Sequence, residues 1–162
     1  MPVAVYRYHP CSYPPAGEES PMLSNSRSVH VEFGHCDPSG IVFNPNYFIW
    51  FDFSVHALLA KAGTSLKSLI GEFGIDGIPL VDNKAQFKAP SRWGDDLVIE
   101  TRISALHRSA FELQHIVRNG DTVAVEGSET RVWTVFDSEQ GRIRAAPIPP
   151  AVVAMFSGEA GR

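Results

Sequence analysis

The chain has 162 residues, of which 44% are hydrophobic and 20% charged, and its formal net charge is −4 at pH 7. This size and composition fit one globular domain with an adequate apolar core. The negative charge argues against nucleic acid or an anionic membrane as the main partner, and no apolar stretch is long enough to span a bilayer. Any phosphate-bearing ligand must therefore meet a local patch of basic residues.

Residues 1–27 contain several prolines and serines without sustained periodicity. This composition predicts a disordered or loosely packed leader, so a single domain is expected over 28–162. The two cysteines, Cys11 and Cys36, indicate no disulfide framework, and the first residues lack an apolar core of signal-peptide length. We therefore expect a reducing, cytoplasmic location.

The first predicted strand begins at Ser28, where apolar and polar residues start to alternate. Its apolar face carries Val29, Val31 and Phe33. The strand delivers the chain to a loop over 35–42, which is rich in turn-forming residues and carries an acidic side chain.

A long helix is predicted directly after this loop. Asn44 followed by Pro45 is typical of an N-cap with proline at the first helical position. The stretch that follows is too long and too apolar for a strand, so the helix is expected to run to about Ala62, with Gly63 as a left-handed C-cap. A helix that is apolar nearly all round must be buried on most sides.

The rest of the chain predicts a short helix and an antiparallel sheet. Apolar residues at helical spacing predict the helix over 66–73, with Thr64 as its cap. Asn119 and Gly120 predict a type I′ hairpin, because both central residues of that turn need positive φ. One long helix wrapped by a meander of strands makes an α+β domain. The predicted strands cover 97–103, 111–118, 123–136 and 142–144.

Asp37 lies just upstream of the predicted helix start. The first N–H groups of a helix have no partners within it and carry the positive end of its dipole, so they polarise a carbonyl oxygen or bind an anion. An acid beside such a helix end is a minimal acyl-transfer site. The same aspartate also suits a structural Asx-turn with the backbone over 38–40, and the residues alone give the two interpretations about even weight.

Two other kinds of chemistry are conceivable beside Asp37. One is a Cys36 nucleophile with a His35 base, and the other is a metal site that adds His30 to these residues. Adjacent residues on an extended chain point to opposite sides, so His35 and Cys36 are poorly placed to hydrogen-bond. Zinc ligands usually have two or more residues between them. We therefore predict no metal centre and expect Cys36 to be a small buried residue behind the loop.

Asp52 and His56 are four residues apart on the long helix and therefore share one face. A solvated or interface pair is the favoured interpretation, and lining of the acyl end of a pocket is the alternative. The cations in and beside the strands are expected on a solvated sheet face, with a subset available for phosphates. These cations are Lys84, Lys88, Arg92, Arg102, Arg108, Arg118, Arg131, Arg142 and Arg144.

The segment HCDPSGIV over 35–42, with Pro-Asn-Tyr over 45–47, resembles the signature of the 4-hydroxybenzoyl-CoA thioesterase family. Members of that family are hotdog-fold enzymes that hydrolyse acyl-coenzyme A thioesters. The resemblance covers about 28–149 and implies a long central helix wrapped by an antiparallel sheet. It implies Asp37 as the catalytic carboxylate, acting as nucleophile or general base. The backbone N–H groups implied to polarise the thioester carbonyl are those near Asn44, Asn46 and Tyr47.

The resemblance also implies partners. Acyl-CoA is the substrate, no cofactor is needed because coenzyme A is part of that substrate, and subunits pair so that their sheets join with the active sites at the dimer interface. A homodimer or a dimer-of-dimers tetramer is therefore expected. The cations predicted to bind CoA are Arg108, Arg142 and Arg144.

Some positions depart from the family pattern. Many related thioesterases carry a histidine in the segment matching 44–46, and its absence here favours the aroyl-CoA branch. Ile78 stands where the 4-hydroxybenzoyl enzymes look to have a hydroxyl residue, just before the proline that matches Pro79, and an apolar side chain would not recognise a phenol. Asp52 matches an acidic position that could approach the acyl group. The predicted substrate-pocket residues are Asp52, Ile78 and Pro79.

The favoured function is therefore an acyl-CoA thioesterase that acts on an aroyl-CoA or related thioester. A non-catalytic acyl-CoA or aromatic-ligand binding module of the same fold is the second hypothesis. A hotdog hydratase or dehydratase is the third, and it would normally pair a histidine with its aspartate.

Overall fold

The computed structural model describes residues 22–158. The strands are β1 (Ser24–His30), β2 (Leu80–Phe87), β3 (Asp96–Leu106), β4 (Ala110–Asn119), β5 (Thr122–Val132), β6 (Thr134–Asp137) and β7 (Arg142–Ala145). The helices are α1 (Pro45–Lys61), α2 (Leu66–Phe73) and α3 (Pro150–Phe156), with one 3₁₀ turn at Phe33–His35. No helix among these residues is long and apolar enough to cross a membrane.

Five strands form one antiparallel sheet in the order β1-β3-β4-β5-β2. The strands β1 and β2 are therefore its two edges. The strands β6 and β7 form a separate two-stranded sheet. This arrangement of one main sheet with helices confirms the predicted α+β class.

The long helix α1 packs on the inner face of the main sheet. It begins at Pro45, as predicted, and it buries Phe51, Val55 and Leu58 almost completely. Its other face is open in the single chain, where Ile49 is 49% and Phe53 is 53% exposed. The helix was predicted to be buried on most sides, but in the single chain it is buried only on the side that faces the sheet.

The backbone of β5 comes unusually close to α1 at Gly127. A Cβ atom on this glycine would lie 2.5 Å from the ring of Phe51, well inside van der Waals contact. The same ring stacks on His115, with centroids 4.4 Å apart and planes 10° from parallel. Glycine at this position therefore allows the helix to approach the sheet.

The first strand starts earlier and ends earlier than predicted. It begins at Ser24, inside the predicted leader, and Leu23 also hydrogen-bonds to Ile103 and Phe156. The predicted boundary at 27 is therefore wrong, because this polar segment completes the sheet edge through its backbone. The rest of the predicted leader, 1–21, lies outside the described residues. Phe33, predicted on the buried strand face, is 76% exposed in the 3₁₀ turn.

Three local predictions near turns are also corrected. The β4–β5 hairpin exists, but Gly120 alone takes a positive φ of 55° there and Asn119 does not, so the turn is not type I′. The predicted strand over 123–136 divides at the buried Trp133 into β5 and β6. The cap of α2 is Ser65, whose hydroxyl accepts the Ser68 N–H, because Thr64 precedes the extended cap residue.

The C-terminal helix α3 had no predicted counterpart. It buries Val152 and Phe156 completely, and Phe156 packs edge-on to Phe111 at a centroid distance of 5.0 Å. This short helix closes one end of the core.

Candidate active site

The Asp37 loop is a tight hydrogen-bonded turn. The Asp37 N–H donates to the Ile41 carbonyl at 2.9 Å, and the Gly40 N–H donates to the Asp37 carbonyl at 2.9 Å. The Ser39 backbone N–H donates to Oδ1 of Asp37 at 2.8 Å, and the Ser39 hydroxyl donates to the same oxygen. The Asx-turn predicted as one alternative is therefore formed, and it fixes the direction of the carboxylate.

The same hydrogen bonds determine the charge of Asp37. Donation from the Ser39 hydroxyl lowers the pKa of Asp37, partial desolvation opposes this effect, and the backbone N–H groups of Ser39 and Ile41 lower the pKa further. The net shift is below the ordinary value. The carboxylate is therefore ionised throughout the neutral pH range, as a base or nucleophile requires.

The start of α1 offers fewer free N–H groups than the sequence indicated. The Asn46 N–H donates to the Phe43 carbonyl at 3.0 Å, and the Tyr47 N–H donates to the Asn44 carbonyl at 3.2 Å. Pro45 has no N–H. The Asn44 N–H has no acceptor among residues 22–158. The set of candidate carbonyl-polarising donors, predicted as three residues, therefore reduces to Asn44 in this chain.

The side chains of Asn44, Asn46 and Tyr47, at the start of α1, differ in their hydrogen bonding and environment. Asn44 occupies the N-cap position without a side-chain capping bond, because its backbone is already helical. The side-chain amide of Asn46 donates to the His35 carbonyl at 2.8 Å and so ties the helix to the loop before Asp37. Burial raises the pKa of the Tyr47 phenol, which therefore stays protonated at neutral pH.

A cleft of about 440 Å³ opens beside Asp37. Its walls are the Asp37 loop, the first turn of α1 and the segment over 87–91. Phe87 contacts Tyr47 at a centroid distance of 5.6 Å, and Lys88, at the edge of the cleft, pairs with Glu126 at 2.6 Å. The volume lies within the range of about 300–1,000 Å³ that small-molecule sites occupy.

The histidines considered for the two competing chemistries have other partners. Nδ1 of His35 accepts the Glu32 N–H at 3.0 Å, and the ring packs edge-on to Trp50. His30 pairs with Asp96 at 2.7 Å on the surface. No group of three or more metal-ligating side chains occurs within the part of the chain that the structure describes. Cys36 is half-buried behind the loop, close to its predicted place.

Asp52 is part of a network that the sequence did not reveal. Its Oδ1 accepts from Nη2 of Arg131 at 2.9 Å, and its Oδ2 lies 3.8 Å from Nε2 of His56. Arg131 is only 6% exposed, so its predicted place on a solvated sheet face is wrong. It is buried because the inner face of β5 carries Glu129 and Arg131 in alternate positions, a period-two pattern that the sequence contains.

The other predicted pocket residues are separated from the Asp37 cleft. Ile78 is 4% exposed and packs in the apolar core, so in this chain it is a core residue and not a pocket residue. The carbonyl of Pro79 accepts the Val132 N–H at 3.1 Å, which places Pro79 next to Arg131. Pro79 therefore lies beside the strand that carries Arg131, the partner of Asp52, and Ile78 points into the interior.

The predicted CoA-binding arginines lie at the opposite end of the sheet from Asp37. Arg108 belongs to the β3–β4 turn and its carbonyl accepts the Ile148 N–H, and β7 carries Arg142 and Arg144. Arg144 pairs with Asp137 at 3.4 Å. The loop beside Asp37 precedes β3, whose eleven residues span roughly 35 Å. These arginines therefore do not reach the Asp37 cleft of their own chain.

The α+β fold, with one long helix across an antiparallel sheet, is that of hotdog-fold thioesterases of solved structure. Solved structures agree with this class. One is an aspartate-to-asparagine mutant of 4-hydroxybenzoyl-CoA thioesterase complexed with 4-hydroxybenzoyl-CoA, with a TM-score of 0.75 and 31% identity over 83% of this chain and 99% of that chain. Another is gentisyl-coenzyme A thioesterase, with a TM-score of 0.69. It is 34% identical, and the match covers 82% of this chain and 99% of that chain.

The sequence comparisons identify the family. A curated relative, 4-hydroxybenzoyl-CoA thioesterase of Pseudomonas sp. (strain CBS-3), is 35% identical over 133 residues, which is 78% of this chain and 93% of the relative. The family model of the thioesterase-like superfamily matches residues 31–156. The chain belongs to this superfamily and is an enzyme of the thioester hydrolase class. The family resemblance and the hotdog fold predicted from the sequence are thereby confirmed.

Proposed function

We propose that this enzyme hydrolyses an aroyl-CoA thioester to the free acid and coenzyme A, with Asp37 as the catalytic carboxylate. The observation that carries the proposal is an ionised, turn-fixed Asp37 at the wall of a cleft that Asn44 also lines. The relatives that match over most of the chain are named for the thioesters of aromatic acids. Phe87 and the first turn of α1 give the cleft apolar walls that suit an aromatic acyl group.

Two mechanisms fit this geometry. In the first, an Asp37 oxygen attacks the thioester carbon, the C–S bond breaks with release of CoA thiolate, and water opens the resulting mixed anhydride. In the second, Asp37 removes a proton from the water that attacks the same carbon, the C–S bond then breaks with release of CoA thiolate, and the thiolate takes up the proton. Single-turnover hydrolysis in ¹⁸O-water separates them, because only the anhydride route places the label in the Asp37 carboxylate.

The carbonyl oxygen gains negative charge in both mechanisms. The Asn44 N–H stands at the positive end of the α1 dipole, and it is the first-turn donor that the helix itself does not use within 22–158. We assign it as the oxyanion donor. A preorganised donor of this type contributes about 10²–10³ in rate.

The active enzyme is proposed to be a dimer joined along β2. This edge strand exposes Leu80, Val81 and Phe87, at 44%, 49% and 51%, whereas the exposed side of the other edge, β1, consists of serines and other polar residues. An unpaired apolar edge of this kind is a template for another strand. We propose that a second copy of this chain pairs there in the antiparallel sense, and that two such dimers associate into a tetramer.

Antiparallel pairing along β2 has a direct consequence for the site. A two-fold axis near the middle of the strand places the Leu80 end of one subunit beside the Phe87 end of the other. The Leu80 end lies next to Arg131, whereas Phe87 lines the Asp37 cleft. The arginines Arg108, Arg142 and Arg144, which do not reach the cleft of their own chain, are therefore proposed to serve the cleft of the partner.

A panel of CoA thioesters tests the proposed function. Benzoyl-, 4-hydroxybenzoyl-, phenylacetyl- and medium-chain acyl-CoA are each mixed with the enzyme, and free thiol release is measured. We expect turnover of one or more aroyl esters at a higher kcat/KM than the medium-chain esters. Saturable binding of these esters without any thiol release would show a binding module instead and would contradict the proposal.

A further inference from the structure

The edge strand β2 has two chemically different faces. Its outer face carries Asp82, Lys84 and Gln86, which are exposed, and its inner face carries Asn83 and Ala85, which are half-buried. Oδ2 of Asp82 lies 2.8 Å from Nζ of Lys84, so the two form an ion pair on the outer face. The strand therefore carries an acid directly before Asn83 and a base directly after it.

The side chain of Asn83 lacks a partner within its own subunit. Its Oδ1 is closed to solvent and accepts no hydrogen bond from any residue over 22–158. Its neighbour across the sheet is Glu129 on β5. Burial raises the pKa of Glu129, but His115 and Arg131 outweigh burial and hold the pKa below its ordinary value, so this neighbour is an anion without a proton to donate. A buried acceptor without a donor is destabilising, and a donor from outside the subunit would relieve it.

Symmetry limits how β2 can pair with a second copy of itself. Directly opposite residues of an antiparallel pair lie on the same face of the sheet, and a slip by one residue would set inner side chains opposite outer ones. One residue of β2 must therefore lie opposite its own copy, on the two-fold axis. Asp82 or Lys84 on the axis would set two like charges opposite each other, which is destabilising.

The remaining axis positions near the middle of β2 differ in what they place opposite Asn83. With the axis at Val81, Asn83 faces the partner's Pro79. With the axis at Ala85, it faces the partner's Phe87. Neither of these side chains has a donor for the orphaned oxygen. Only an axis at Asn83 itself sets one side-chain amide opposite another.

We propose that β2 pairs with a second copy of this chain with Asn83 on the two-fold axis. Each Asn83 amide then donates to the oxygen of the other, which the broad χ2 torsion of asparagine allows. On the outer face, each Asp82 lies opposite the partner's Lys84, which makes two favourable pairs between subunits. The same register brings the partner's Pro79 opposite Phe87, a wall residue of the candidate cleft.

This proposal rests on the dimer in the proposed function and adds its register and the residues that select it. A single buried asparagine fixes the register of other self-complementary interfaces, such as coiled coils, in the same way. The two charge pairs exclude a slip of two residues along the strand, because that slip opposes like charges.

Oxidative cross-linking of Asn83→Cys, in a chain that also carries Cys11→Ser and Cys36→Ser, tests the register. Opposite Cα atoms of antiparallel strands are about 4.5–5.5 Å apart, within the range of about 4.4–6.8 Å that a disulfide spans. We expect a linked dimer on a non-reducing gel that reverts with reductant. The matched control is Ala85→Cys in the same background, because its own copy lies four residues along the strand, about 13 Å away, and it should stay unlinked.

Charge reversal tests the outer face independently. Asp82→Lys or Lys84→Asp alone turns both pairs between subunits into like-charge pairs, so each should raise the dimer dissociation constant about tenfold. An equimolar mixture of the two variants should return the dissociation constant to the wild-type value, because the heterodimer pairs opposite charges again. Sedimentation velocity measures both.

The outcomes separate the register from the dimer and from catalysis. A monomeric wild-type enzyme in light scattering overturns the dimer and the register together. A dimeric enzyme whose Asn83→Cys variant stays unlinked, or whose Ala85→Cys variant links as readily, overturns the register alone. Charge variants that gain nothing on mixing overturn the Asp82–Lys84 pairing. None of these measurements needs a substrate, so a failed thioester panel does not decide them.

Discussion

At the scale of single residues, the turn and the catalytic role of Asp37 are compatible. The turn uses Oδ1, which receives the backbone N–H and the hydroxyl of Ser39, and this fixes the carboxylate beside the cleft. The Asx-turn and the proposed catalytic role, which the sequence left as alternatives for Asp37, therefore do not exclude each other. The turn supplies the orientation and the low pKa that the proposed chemistry needs.

Asn44 provides a test of the backbone donor separately from its side chain. Its φ of −52° suits proline, so Asn44→Pro removes the N–H with little change in local conformation. We expect kcat to fall about 10²–10³-fold, the usual cost of losing one oxyanion donor. Asn44→Ala is the control, since it keeps the N–H and the side chain makes no capping bond, and it should retain nearly full kcat. Equal activity of the two variants would exclude the N–H as a donor.

The pH dependence of activity follows from the low pKa of Asp37. Activity needs the ionised carboxylate, so it should be lost only as the pH falls through this lowered pKa, below the ordinary carboxylate range near pH 4. Ser39→Ala removes the main cause of the lowering, so the acid limb of kcat/KM should move to higher pH. The profile of Ser104→Ala, a change at an exposed serine on β3, should overlay that of the wild type. An acid limb unmoved by Ser39→Ala would contradict this origin of the shift.

Features set by residues close in sequence could be predicted, whereas features set by contacts between distant parts of the chain could not. The turn at Asp37 and the start of α1 at Pro45 were predicted, because local turn and cap chemistry determines them. The reduction of the candidate oxyanion donors to Asn44 depends on which carbonyls accept the other N–H groups, and the sequence does not show that. The burial of Arg131 depends on its pairing with Asp52 across 79 positions of the chain.

At the scale of elements, the packing of α1 on β5 limits what the sheet tolerates. Gly127→Ala would place a Cβ atom 2.5 Å from the Phe51 ring, so the helix or the ring must move. We expect a loss of about 1–3 kcal/mol in the free energy of unfolding, as for other overpacked cores. Urea denaturation followed by circular dichroism measures this loss.

Gly71→Ala is the matched control for this substitution. Gly71 lies in α2, its φ is not positive, and a Cβ atom there would meet no other side chain within 4 Å. Alanine is the better helix former by about 0.5–1 kcal/mol, so this variant should be as stable as the wild type or more stable. A Gly127→Ala variant of wild-type stability would show that α1 is less closely packed than described.

Periodicity predicted the elements better than their ends. The buried faces of β3 and β4 alternate as the sequence indicated, with Leu97, Ile99 and Ile103 on one strand and Leu113 and Val117 on the next. Turn type and strand breaks were wrong because they depend on tertiary contacts. The buried Trp133 stands between β5 and β6, and β1, mostly polar apart from the buried Val29, joins the sheet edge by pairing with β3.

At the scale of the whole molecule, the proposed dimer completes the site. The exposed apolar side of β2 and the open face of α1 are unusual for a chain that functions alone. The sequence supported subunit pairing only through the family resemblance, because an edge strand is identified by sheet order, which a meander of similar strands leaves open.

A charge on the β2 edge tests the assembly. Val81→Glu places a carboxylate on this edge, so the proposed dimer should dissociate, and activity should fall with it if the site is shared as proposed. Size-exclusion chromatography with light scattering gives the mass, and thiol release gives the activity. Val98→Glu, at an exposed valine of β3, is the control and should leave both unchanged. A fully active monomer would contradict the shared site.

The most direct test of the account is the turnover of Asp37→Asn on the best ester of the panel. Asparagine keeps the size of the side chain and an acceptor for Ser39 but is neither base nor nucleophile. The variant is predicted to keep the wild-type thermal stability and to bind the ester, while its kcat falls by about 10²–10⁴, the range typical for loss of a general base. A folded Asp37→Asn enzyme with more than about a tenth of the wild-type kcat would contradict the assignment of Asp37 as the catalytic carboxylate, given that range.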